Sequence, residues 1–135
     1  MCGIAGIFSH KPVASELYDS IIHLQHRGQD AAGIMTYDER MHKEKGVGLA
    51  KEIFNSKNME LLTGNIGISH NRYPTHGGFS HGEVQPFWTS VPYGIALAHN
   101  GNLTNYNDLA SEVTKTETRY LNTTSDSEVL LHLFA

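Results

Sequence analysis

An α+β fold in four layers, with two antiparallel sheets held between helices, is the architecture this sequence predicts. Three observations carry it. Short apolar runs of strand length begin at Gly3–Phe8 and recur along the chain. Helical patterns are inserted after Phe8 and after Leu103. The single cysteine, Cys2, stands directly before the first run, and a nucleophile there needs its terminus at the mouth of a sheet sandwich.

The elements follow in order. Residues 3–8 are small and apolar at consecutive positions, which predicts a strand buried on both faces. Pro12 opens a helical pattern carried by Leu17, Ile21, Ile22 and Leu24, with Gly28 as its stop. Residues 32–37 read as a strand, 38–40 as a turn and 41–47 as a weaker strand, together a hairpin. A short helix is expected over 53–62 and a strand over 65–70. Residues 74–86 hold Gly77, Gly78 and Gly82 among polar residues, a loop long enough to act as a lid. A strand over 93–99 and a helix over 103–113 follow, and 115–121 is mixed. Ser125 then caps a helix, with Glu128 three residues on completing a capping box. That helix meets the end of the sequence without a stop signal, so the sequence is expected to end inside a larger domain.

Composition removes several classes of function. Of 135 residues, 39% are hydrophobic and 18% charged, too apolar for a disordered chain. Ten Lys and Arg against fourteen Asp and Glu give a net charge of −4, with no basic excess to grip a phosphate backbone. No apolar run approaches the ~20 residues that span a bilayer. The start lacks the basic and apolar segments of a signal peptide. One cysteine can form neither an internal disulfide nor a cysteine zinc site, which points to a reducing, cytoplasmic setting.

Five groups of residues have chemical potential. If Met1 is removed, Cys2 becomes an N-terminal cysteine carrying its own base, since an α-amine titrates near 7.7–8.0. The competing reading is a small apolar residue at the start of a strand. His99-Asn100-Gly101 ends an apolar run, and a side-chain amide beside a glycine N–H can make a two-donor oxyanion hole, or simply a turn. Arg72, with Tyr73-Pro74-Thr75, opens the glycine-rich loop and could fork onto a carboxylate, or lie on the surface. Asp126 stands in the first turn of the last helix, as a helix-terminal acid or as the partner of an ammonium group. His26-Arg27-Gly28-Gln29-Asp30 forms a polar junction between helix and strand, of the kind that satisfies backbone groups.

The opening Met1-Cys2-Gly3-Ile4 resembles class II glutamine amidotransferases, whose glutaminase domain is an N-terminal nucleophile hydrolase. Residues 24–34 (LQHRGQDAAGI), 71–75 (NRYPT), 84–87 (VQPF), 98–105 (AHNGNLTN) and 122–130 (NTTSDSEVL) resemble the amidophosphoribosyltransferase family in particular, in that family's order. Asparagine synthetases would have proline where this chain has Gln29, and glucosamine-6-phosphate synthases tryptophan where it has Tyr73. Glutamate synthases are much longer.

The resemblance implies an αββα sandwich of the N-terminal nucleophile hydrolase type, truncated at its C-terminal end. It implies an enzyme in which Cys2 attacks the L-glutamine side-chain amide with its own amine as base. Asn100 and Gly101 would form the oxyanion hole. Arg72 would hold the α-carboxylate and Asp126 the α-ammonium, and Arg27 would line the same pocket. The ammonia would pass to phosphoribosyl pyrophosphate in purine synthesis. That step belongs to a phosphoribosyltransferase domain expected outside this chain, together with its magnesium and the homo-oligomer the longer protein would form. No cofactor or metal is expected within residues 1–135. Two departures stand out. His76 replaces the family's alanine, and the chain is shorter than the family's glutaminase domain. Two rival readings remain at this stage: a histidine metal module built on His70, His76, His81 and His99, and a fragment inactive without the rest of its domain.

Overall fold

The computed structural model describes residues 1–73 and 81–135, with the side chain of His81 also left aside. The glycine-rich loop therefore falls largely outside the described residues, and so do His76 and the expected lid.

Four strands, β1 (Gly3–Phe8), β2 (Ala31–Tyr37), β3 (Met41–Val47) and β4 (Ile66–Arg72), form an antiparallel sheet in the order β1-β4-β2-β3. The β2–β3 hairpin turns at 38–40 as its composition predicts. Helix α1 (Ala14–Leu24) lies across one face, with the short helices α2 (Ala50–Ile53) and α3 (Ser56–Met59) beside it. Val13, Leu17 and Ile21 meet Ala32, Ile34 and Phe54 in this core. Each such large apolar side chain, buried in full, contributes roughly 1.5–3 kcal/mol. Of the region expected as one helix over 53–62, only α3 and the last residue of α2, Ile53, are helical. Asn55 interrupts them by capping α3, exchanging hydrogen bonds with Asn58.

The second sheet has two antiparallel strands, β5 (Phe87–Thr89) and β6 (Ile95–Leu97). β5 was not expected from the sequence, and β6 is shorter than the 93–99 run suggests. Helices α4 (Tyr106–Lys115) and α5 (Asp126–Phe134) pack together, and α5 covers this sheet. The sheets meet through β2 and β3. The Lys43 ammonium lies 4.4 Å from the Trp88 ring, and Lys45 Nζ donates to the carbonyls of Val84 (2.5 Å) and Pro86 (3.2 Å). Helix, sheet, sheet and helices follow one another as the four expected layers.

Two expectations need correction. β1 is not buried on both faces: Ile4 is 42% and Phe8 72% exposed. β1 is an edge strand, and the two-stranded second sheet lies over β2 and β3 instead of over it. The capping box at Ser125 also does not form. Ser125 Oγ accepts from Ser127 N–H at 3.3 Å, but the Glu128 carboxylate turns back onto Asn122 and Thr123, accepting two bonds from each at 2.7–2.9 Å.

Candidate active site

The strand register decides where the N-terminus lies. Gly3 pairs with Asn71 and Ile4 with His70. One step back along β1 brings Cys2 beside the end of β4, where Arg72 stands. Gly28 secures that end, because any Cβ there would come within 2.6 Å of the Arg72 carbonyl. The Asp30 N–H donates to that same carbonyl at 3.2 Å. The Asn71 amide donates to the Ile21 carbonyl at 2.8 Å and ties β4 to α1.

A cavity of about 550 Å³ opens here, of a size suited to a small metabolite. Cys2, Arg72, Asn100, Gly101 and Asp126 all line it, although they are spread over 125 residues of sequence. Arg27 is not among the lining residues. It ends the 3-10 turn Gln25–Arg27, and its guanidinium reaches outward to the Met1 sulfur at 3.9 Å. Met1 itself is 73% exposed.

The far wall is built from loops and a helix terminus. The Asn100 side-chain amide donates to the Cys2 carbonyl at 3.5 Å, joining oxyanion candidate to nucleophile candidate. Asp126 Oδ2 accepts the Leu103 N–H at 3.0 Å, and its Oδ1 lies 3.9 Å from His99 Nδ1. On the near wall Arg72 pairs with Glu83 at 3.0 Å, and Glu83 accepts in turn from Thr124. Both ends of the glycine-rich loop are thus tied at the cavity.

Sequence reasoning missed three residues here. Gln85 is buried and bonds to the His99 backbone and to Ser127. Its signal was a lone amide among Val84, Pro86 and Phe87. Glu83 is the partner of Arg72. His70, 1% exposed, reads from the sequence only as a candidate metal ligand. Its ring bonds to the His99 backbone, while Nε2 has no partner. Burial, reinforced by the Arg72 charge, holds His70 down to about 4 against the pull of that bond, so it is neutral at physiological pH. Among the described residues, no three His, Cys, Asp or Glu side chains gather at metal-binding distance.

A family model described as a glutamine amidotransferase domain matches residues 70–135. The amidophosphoribosyltransferase of Pseudomonas aeruginosa is 52% identical, over 100% of this chain and 27% of its own length. That of Escherichia coli is 51% identical over the same shares, and that of Saccharomyces cerevisiae 49% over 100% and 28%. A solved structure described as the allosteric regulatory enzyme of purine biosynthesis superposes with a TM-score of 0.88 at 38% identity, covering 98% of this chain and 29% of that one. The glutamine phosphoribosylpyrophosphate amidotransferase from B. subtilis, complexed with ADP and GMP, gives 0.85 at 38% identity over the same shares. The chain spans about a quarter of the length of the curated relatives it matches. No helix among the described residues is long and apolar enough to cross a membrane.

Proposed function

We propose, from a chain whose sequence and fold are those of the glutamine amidotransferase portion of amidophosphoribosyltransferases, that it hydrolyses the side-chain amide of glutamine. The observation that carries this reading is the single cavity lined by Cys2, Arg72, Asn100, Gly101 and Asp126.

Removal of the exposed Met1 frees the Cys2 amine, which takes the thiol proton. The thiolate attacks the carboxamide carbon, and the carbonyl oxygen becomes an oxyanion facing Asn100 Nδ2 and the Gly101 N–H. The C–N bond breaks, the α-ammonium returns its proton to the leaving nitrogen, and ammonia departs from a thioester. Water, activated by the same amine, then releases glutamate and the thiol. Arg72 and Asp126, on opposite walls, suit the α-carboxylate and α-ammonium of the substrate. This chemistry draws on a thiol, an amine and water and uses no cofactor. A thiol nucleophile also suits a reducing, cytoplasmic setting.

In the longer protein, the ammonia would serve phosphoribosylamine synthesis from phosphoribosyl pyrophosphate, at a magnesium-dependent domain outside residues 1–135. The relatives' names and the shares of their length covered here support that extension. The test is glutamate release from glutamine by protein whose N-terminal residue has been identified by intact mass. Turnover by the form beginning at Cys2, and none by the form retaining Met1, is expected. Equal turnover by both removes the α-amine from the mechanism. The same assay on residues 1–135 and on the longer protein decides whether this segment acts alone.

A further inference from the structure

The segment carrying Asn100 and Gly101 has no regular structure of its own, since β6 ends at Leu97 and α4 begins at Tyr106. Two donors meet a developing charge well only if their backbone is fixed before the reaction. We propose that Gln85 is the positioning residue that fixes it, an inference resting on the oxyanion reading of Asn100 and Gly101.

The Gln85 amide holds both polar groups of one residue. The His99 N–H donates to Gln85 Oε1 at 2.7 Å, and Gln85 Nε2 donates to the His99 carbonyl at 3.1 Å. The same nitrogen lies 3.2 Å from Ser127 Oγ and donates there too, which uses both of its hydrogens. Ser127 follows Asp126 in the first turn of α5. One buried side chain therefore sets the oxyanion turn against the helix that presents Asp126.

Gln85 is itself anchored. The Lys45 ammonium holds the carbonyls on either side of it, those of Val84 and Pro86. Its own carbonyl packs so closely on Gly33 that a Cβ at that position would collide with it. Lys45 and Gly33 face each other across the β2–β3 ladder. The rigid four-stranded sheet thus locates a loop of the opposite wall through Gln85. Only a primary amide of this length offers His99 an acceptor and a donor side by side.

Gln85→Met keeps the volume and removes all three bonds. Gln85→Glu keeps the acceptor and turns the donor into a second acceptor facing the His99 carbonyl. Both are measured in the protein that hydrolyses glutamine, with kcat expressed per active site titrated by a glutamine-analogue electrophile. Unfolded molecules are then not counted. For Gln85→Met, kcat should fall about 10–100-fold while the glutamine KM moves less than about threefold. For Gln85→Glu, kcat relative to the unsubstituted protein should rise as the pH is lowered toward the carboxyl range, because a protonated acid regains the donor. A purely structural role would move neither the kcat-to-KM split nor that pH profile. An unchanged kcat per titrated site in Gln85→Met overturns the proposal. So does a flat relative pH profile in Gln85→Glu. Absence of glutamine hydrolysis by the unsubstituted protein overturns the functional reading beneath it, and that control separates the two failures.

Discussion

The two walls of the cavity are held by different physics. The wall carrying Arg72, with Cys2 one residue before the first strand, is a β-ladder held by backbone hydrogen bonds and the α1 core. The wall carrying Asn100, Gly101 and Asp126 is largely loop, fixed by side chains: the Gln85 amide on His99, Asp126 on the Leu103 N–H, and Glu128 on Asn122 and Thr123. A ladder tolerates side-chain change because its bonds belong to the backbone. A loop wall loses its geometry when one side chain is altered. The proposed nucleophile and the arginine proposed to bind carboxylate therefore sit on the rigid side, and the groups proposed to stabilise developing charge depend on a polar network.

Changing the chemistry while leaving the ladder intact breaks the comparison most sharply. Cys2→Ser alters one atom, yet it should reduce glutamine hydrolysis to background and abolish labelling by a glutamine-analogue electrophile. A hydroxyl is far less acidic than a thiol, and the α-amine cannot make up the difference. The melting temperature should not move. Retained labelling would place the nucleophile elsewhere. On the opposite wall, Asn100→Ala should lower kcat about 10²–10³-fold with little change in KM, since the charge it meets arises only in the transition state. A folded Asn100→Ala protein with near-normal kcat would reduce Asn100-Gly101 to a turn.

The same division governs what the sequence made legible. Strands and helix of the ladder wall follow from apolar periodicity, and β2, β3 and α1 lie within a residue or two of expectation. The run Gly3–Phe8 is apolar throughout and so reads as buried on both faces, while the edge position of β1 depends on pairing order, which no local pattern contains. On the loop wall, Asn100, Gly101 and Asp126 are recognisable as residue types, but their supports are not. Gln85 reaches His99 across 14 residues and Ser127 across 42, and nothing in a lone glutamine announces either contact. The spacing alone assigns Glu128 to a cap. The fold places Asn122 and Thr123 in front of it, and four donors there outweigh one backbone N–H. The motif puts Arg27 at the pocket, whereas its 3-10 turn directs it to Met1.

Arg72 belongs to the ladder by its backbone and to the loop by its ion pair with Glu83, so it sharpens the contrast at intermediate cost. Arg72→Ala should act mainly on the glutamine KM. Losing one charge-assisted hydrogen-bonded pair in a half-buried site costs about 1.5–3 kcal/mol, or roughly 10–100-fold in kcat/KM. Arg72→Lys should restore only part of this, because a point charge lacks the planar fork. Glutamine kinetics unchanged in Arg72→Ala would remove the arginine from substrate binding.

The smallest effect near neutral pH separates the walls by acid stability. His70 lies on the ladder wall and is held to about 4 by burial and the nearby Arg72 charge, below its ordinary 6.5. Between those values the unfolded chain takes up a proton that the folded one refuses. Its share of stability is therefore complete above pH 6.5 and falls as the pH drops toward 4. The loss is roughly 1 kcal/mol at pH 6 and about 3 kcal/mol in full. Glu128 supports the loop wall. Burial pushes its carboxyl up, but the donors of Asn122 and Thr123 together hold it below the usual range. Its contribution is present above the ordinary carboxylate value and disappears only as the pH falls through the depressed one. Thermal melts at successive pH values should then show two losses. The loss between pH 6.5 and 4 is flattened by His70→Asn. The more acidic one is flattened by Glu128→Gln, which also lowers the melting temperature at neutral pH. If Glu128→Gln flattens the upper window instead, the stability of the ladder wall does not depend on a buried neutral histidine, and the division drawn between the walls fails there.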